Sequence, residues 1–95
     1  MNNKINIKSA DDKDIPVYIY EPSIERIGAI VLIQEIFGVN DHIKDIANKF
    51  SKEGFITWVP DIFYRVQNDV SLDYSATSIE KGKEFNPDER MKRIL

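Results

Sequence analysis

The spacing of apolar residues changes along the chain, and each change marks an element. Ile5 and Ile7 alternate with polar residues, a period of two that predicts a strand. The polar stretch Asp11-Asp12-Lys13-Asp14 interrupts it and predicts a turn. Ile15-Pro16-Val17-Tyr18-Ile19-Tyr20 is rich in β-branched and aromatic residues, so a second strand is expected. Pro16, which has no N–H to give to a ladder, fits an edge or a starting position. The two strands should form a hairpin, with Tyr18 and Tyr20 on one face covering a helix or the sheet edge. Ile27-Gly28-Ala29-Ile30-Val31-Leu32-Ile33 is apolar without alternation, which predicts a strand covered on both faces in a parallel sheet.

The period then becomes helical. Ile43, Ile46, Ala47 and Phe50 fall at i, i+3, i+4 and i+7, one stripe of a helix. Asn40 or Asp41 suits its N-cap, and Gly54 suits the residue just past its end. Phe55-Ile56-Thr57-Trp58-Val59 predicts another strand, with Trp58 in the core, closed by Pro60-Asp61. Strand, turn, helix, strand is a βαβ unit, whose strands should be parallel. The fold class expected is therefore α/β: a β-hairpin followed by a βαβ unit, mostly parallel thereafter.

Beyond Arg65 the pattern fades. Val66 to Phe85 holds turn formers and no sustained period, so a loop is expected, with at most an irregular helical turn. Asn86-Pro87-Asp88-Glu89 has the composition of a helix start, with a cap, a proline at the first position and acids in the first turn. The helix would run to Leu95 for about nine residues, below the usual three turns and without a stop signal. This predicts that residues 1–95 are the N-terminal part of a single larger domain.

Charge and composition narrow the function. A net charge of −3 with scattered lysines offers no basic face for nucleic acid. The longest apolar run, Ile27 to Ile33, is far short of the roughly 18 residues of a membrane span. Met1-Asn2-Asn3-Lys4 lacks the apolar segment of a secretory signal, so a cytoplasmic protein is expected. There is no cysteine, hence no thiolate nucleophile or thiolate metal site within these residues, and no cofactor or metal is expected.

The candidate chemistry lies at Gln34-Glu35-Ile36-Phe37-Gly38-Val39-Asn40. This run sets a carboxylate and a sharp turn at the carboxyl end of a strand, where open α/β sheets place their sites. A strand-to-helix turn has free backbone N–H groups, and the helix dipole favours negative charge there. The Ile36 N–H is a candidate oxyanion donor, Phe37 a pocket wall and Gly38 the residue that permits the turn. On these grounds alone a strand-end glutamate is more often solvated or paired. His42 reads as a solvated first-turn histidine, Asp61 as a turn cap and Arg65 as the partner of a nearby acid. No serine sits in a strand–turn–helix elbow.

Gln34-Glu35-Ile36-Phe37-Gly38-Val39-Asn40, His42-Ile43-Lys44-Asp45, Glu53-Gly54-Phe55 and Val59-Pro60-Asp61-Ile62-Phe63-Tyr64-Arg65 together closely resemble the dienelactone hydrolase family of α/β-hydrolases. The resemblance implies a Cys-His-Asp triad that hydrolyses small esters or lactones through an acyl-enzyme. It implies that Glu35 contacts the nucleophilic thiol and helps set its protonation, and that the Ile36 amide is half of the oxyanion hole. A cation binding the substrate carboxylate would fall at Lys92, flanked by Arg90 and Arg93; lysine there departs from the bidentate grip of an arginine. The triad is absent from these residues, so the 95-residue chain is expected to be inactive alone. The resemblance also puts the strand Ile27 to Ile33 beside a later strand, so in isolation its open apolar edge should pair with another copy or leave the chain poorly stable. Two other readings stand beside the enzyme. A non-catalytic α/β interaction domain would leave the turn unused. A nucleotide-binding module would need more glycines than Gly38 in the turn.

Overall fold

The computed structural model describes residues 2–84. Two antiparallel strands open the chain, β1 (Asn2–Lys8) and β2 (Asp14–Tyr20). The expected polar turn joins them. The Asp12 N–H donates to the Ser9 carbonyl at 3.0 Å, Asp12 takes a positive φ of 63°, and Lys8 pairs with Asp14 at the base of the hairpin. Asp11 reaches further: Arg65 grips its two carboxylate oxygens at 2.6 and 3.0 Å, so Arg65 is an ion-pair residue, as expected.

The βαβ unit follows as β3 (Gly28–Val31), α1 (Asp41–Lys52) and β4 (Phe55–Pro60), with β3 and β4 parallel. Backbone bonds from the Ile27 N–H to Gly54 and from the Leu32 N–H to Trp58 carry the pairing a residue beyond β3 at each end. The sheet order is β1-β2-β4-β3, because β4 pairs antiparallel with β2 on its other side. The α1 N-cap is Asn40, whose Oδ1 accepts the Ile43 N–H at 3.1 Å, and Gly54 follows the C-cap Glu53 at a φ of 103°. The predicted stripe faces the sheet: Ile43 and Ala47 pack with Tyr20, Val39 and Val59, and Tyr18 and Leu32 lie against this cluster. Burying side chains the size of Ile43 or Val59 stabilises by roughly 1.5–3 kcal/mol each.

Three expectations are corrected. Among the described residues β3 is covered on one face only. Gly28, Ile30 and Leu32 are half-buried, whereas Ile27 (66 % exposed), Val31 (65 %) and Ile33 (52 %) face solvent, because among the described residues α1 covers one side of the sheet and nothing covers the other at β3. The free edge of β3 is open among the same residues. Trp58 is half-buried rather than core, since it lies across from Val31 on that bare face. The segment expected as a loop contains a regular helix, α2 (Ala76–Glu84). Ser75 starts it: its Oγ accepts the Ser78 N–H at 3.1 Å, and its own N–H donates to Asp73. The helix start predicted at Asn86 lies outside the described residues.

Candidate active site

The turn after β3 is held from several directions. Gln34 is buried, and its side chain bonds at both ends: Oε1 accepts the Ile62 N–H at 3.0 Å and Nε2 donates to the Glu35 carbonyl at 3.1 Å. The Gly38 N–H donates to the same carbonyl at 3.2 Å. Gly38 has a φ of 78°, and a Cβ there would lie 2.1 Å from the Val70 carbonyl oxygen, so both conformation and space require glycine. The expected role of Gly38 in the turn is thus met.

These bonds orient Ile36. The peptide joining Glu35 to Ile36 is planar, so its N–H points opposite to its C=O. The Glu35 carbonyl is fixed by two donors, which fixes the direction of the Ile36 N–H. That N–H has no acceptor among the described residues. On the other side of Ile36, α2 comes so close that a Cβ on Gly82 would meet the Ile36 carbonyl oxygen at 2.1 Å. An N–H held in this way costs no reorganisation when an anion reaches it.

Residues 71–74 run alongside the turn. The Leu72 N–H donates to the Phe37 carbonyl at 2.8 Å, and the Leu72 carbonyl accepts the Asn40 Nδ2 at 3.0 Å. Tyr74 sets its ring edge-to-face on Phe37, with centroids 4.4 Å apart, and its hydroxyl donates to the Glu35 Oε1 at 3.2 Å. Glu35 itself is exposed and Phe37 is buried. His42 is exposed, 5.8 Å from the Tyr74 ring. Residues 40–42 and 71–74 line an open cleft of about 440 Å³.

Asp61 caps the exit of β4, as expected. Its Oδ1 accepts the Phe63 N–H and its Oδ2 the Asp69 N–H. Burial pushes this carboxyl up, with those two hydrogen bonds opposing the shift. Asp69 is held low by Lys4 and by the Tyr18 hydroxyl, and Tyr18 is raised first by burial and then by Asp69. This network ties the loop after β4 to the hairpin. Among the described residues no group of histidines and carboxylates could hold a metal ion, and no helix is long and apolar enough to cross a membrane.

Glu35, Ile36 and Phe37 therefore sit together on one pinned turn. Arg90, Lys92 and Arg93 lie outside the described residues. Sequence reasoning gave no role to Gln34, Tyr74 or Gly82. The glycine inside a polar helical segment was the one available signal, since it marks close backbone approach.

Residues 15–95 match the model of the dienelactone hydrolase family. The chain belongs to that family. A Synechocystis protein assigned as a carboxymethylenebutenolidase is 33% identical over 79 residues, which are 82% of this chain and 32% of the relative. A Yersinia pestis protein with the same assignment is 37% identical over 65 residues, covering 65% of this chain and 23% of its own. Among solved structures, a protein from Klebsiella pneumoniae described as a dienelactone hydrolase superposes with a TM-score of 0.70 at 22% identity, over 96% of this chain and 38% of that one. The fold is thus that of the dienelactone hydrolases, and the chain spans about a third of the length of the first of these relatives. In this family member the pinned turn lies at the carboxyl end of β3, between that strand and α1.

Proposed function

We propose that residues 1–95 are the N-terminal part of a dienelactone hydrolase-like enzyme that hydrolyses small esters or lactones through a Cys-His-Asp triad. The triad would come from residues beyond these 95, which contain no cysteine. One observation carries the reading: the Ile36 N–H is oriented by a doubly bonded Glu35 carbonyl and has no acceptor among the described residues.

In this mechanism the thiol gives its proton to the Glu35 carboxylate, and the thiolate attacks the substrate carbonyl carbon. The carbonyl π electrons move to oxygen, and the Ile36 N–H donates to the resulting oxyanion. Collapse breaks the ester C–O bond, the leaving oxygen takes up the proton held by Glu35, and the alcohol departs or the lactone opens to leave an acyl-enzyme that water hydrolyses. Phe37 would wall the pocket, and Lys92 with Arg90 and Arg93 would attract a substrate carboxylate. We take the enzyme to act in the cytoplasm on a dissolved small molecule.

The coding sequence read past Leu95 tests this proposal. A Gly-x-Cys-x-Gly elbow and a later histidine are expected, and their absence would leave a non-catalytic domain as the reading. The 95-residue chain assayed with p-nitrophenyl acetate should show no turnover above background. Saturable hydrolysis would place the nucleophile within these residues and overturn the proposal.

A further inference from the structure

The carboxylate of Glu35 is exposed, and among the described residues the Tyr74 hydroxyl is its one hydrogen-bond donor. A free glutamate at a strand end samples many rotamers, so what holds it decides whether it can meet a reacting group. Tyr74 is well placed to hold it. Its backbone is set from both sides. Leu72 is bonded to Phe37 and Asn40 on the turn, and Asp73 accepts from the Ser75 N–H and the Ser78 hydroxyl at the start of α2. Its ring is set as well, edge-to-face on Phe37 at 4.4 Å and on His42 at 5.8 Å. Held at chain and ring though half-exposed, Tyr74 sets its hydroxyl 3.2 Å from Oε1.

We propose that Tyr74 is the positioning residue for Glu35: its hydroxyl occupies Oε1 and leaves Oε2 turned toward the reacting thiol. The inference rests on the hydrolase reading above. In the proton transfer the S–H bond breaks, an O–H bond forms at Oε2, and one negative charge passes from carboxylate to sulfur. The phenol keeps its proton throughout. Tyr74 acts through Glu35. The 71–74 segment thereby becomes part of the active site's frame, although its sequence, Ser71-Leu72-Asp73-Tyr74, carries no catalytic motif.

The test is a double-mutant cycle in the full-length enzyme with p-nitrophenyl acetate as the probe. Tyr74→Phe keeps the ring on Phe37 and removes the hydroxyl alone. It should lower kcat by about three- to tenfold with KM unchanged, the scale of one ordinary solvent-exposed hydrogen bond. Glu35→Gln should cost more, and the double variant should match Glu35→Gln, because the hydroxyl has nothing left to position. Wild-type rates in Tyr74→Phe, or losses that multiply in the double variant, would overturn the positioning role. Wild-type rates in Glu35→Gln would remove the role given to Glu35 and the positioning role with it, whereas no hydrolysis by the parent protein would overturn the hydrolase reading, so the two failures are distinct. In the same protein a nuclear Overhauser contact between the Phe37 ring and the ring at position 74 should survive in Tyr74→Phe, because the ring stays seated. Its loss there would assign the kinetic effect to misfolding and also overturn the positioning role.

Discussion

Gln34 and Ile62 are joined side chain to backbone, the Ile62 N–H donating to the Gln34 Oε1 at 3.0 Å. The bond couples the end of β3 to the segment leaving β4. Gln34→Leu keeps the volume and removes both bonding ends, leaving the Ile62 N–H and one donor to the Glu35 carbonyl unreplaced. Losing a partner to a buried donor costs about 1–3 kcal/mol. Urea unfolding should show a loss of that size, and an unchanged midpoint would mean that solvent satisfies the Ile62 N–H.

Gly82 sets two effects against each other. Alanine favours a helix over glycine by about 1 kcal/mol. Its Cβ, however, would lie 2.1 Å from the Ile36 carbonyl oxygen, and overpacking of that kind costs about 1–3 kcal/mol. Because the obstacle is backbone, the clash should win. Gly82→Ala is expected to lower stability and to shift the amide signals of Ile36 and Phe37. A stabilised variant with unmoved amides would show that α2 does not press on the turn.

Asp61 and its neighbours should give stability opposite slopes with pH. Burial raises the Asp61 carboxyl above its ordinary 3.8, with the Asp69 charge adding to the rise and Lys4 opposing it. The folded state therefore keeps this proton to higher pH than the unfolded chain, and that contribution is full below 3.8 and lost as pH rises through the raised value. Asp11, held low by Arg65, Asp69, held low by Lys4, and Asp73, brought to about 2 by the Ser78 and Ser75 hydroxyls, behave the other way. Their contributions are present above 3.8 and lost as pH falls through the lowered values. Asp61→Asn should therefore trail the parent protein by more at a pH of about 4 than at about 7. Denaturation curves giving a constant or widening gap would refute this assignment.

The bare face and open edge of β3 should make the 95-residue chain self-associate. Among the described residues Ile27, Val31 and Ile33 form an exposed apolar row beside an unpaired strand edge. Sedimentation velocity should show concentration-dependent dimers or larger species, and Val31→Lys should reduce them. A monomer at all accessible concentrations would count against pairing through this strand.

Much of this architecture is legible in the residues, and the limits have physical causes. The hairpin and the βαβ unit could be read because their apolar periods report local geometry, and Asn40 and Gly54 mark the ends of α1 through backbone chemistry. Helix α2 was not legible. Ile79 is the one large apolar residue in its nine, and Gly82 argues against a helix unless its contact with Ile36 is known. The bare face of β3 was hidden for the opposite reason. Its apolar run states what the strand prefers to be covered by, and α1 alone does not supply that cover. Glu35, Ile36 and Phe37 could be located from the motif, but Tyr74 is 39 positions from Glu35 and no local pattern joins them.

The sheet order has a consequence for synthesis. β4 lies between β2 and β3, yet it is made after both. As the chain leaves the ribosome, the hairpin can form at once, while β3 must wait for α1 and β4 before it has a neighbour. At about 5–20 residues per second the wait is on the order of seconds. During that interval Ile27 to Ile33 is an unpaired apolar ribbon on a nascent chain. Completion of β4 shelters one of its edges and leaves the other for whatever the cell makes next.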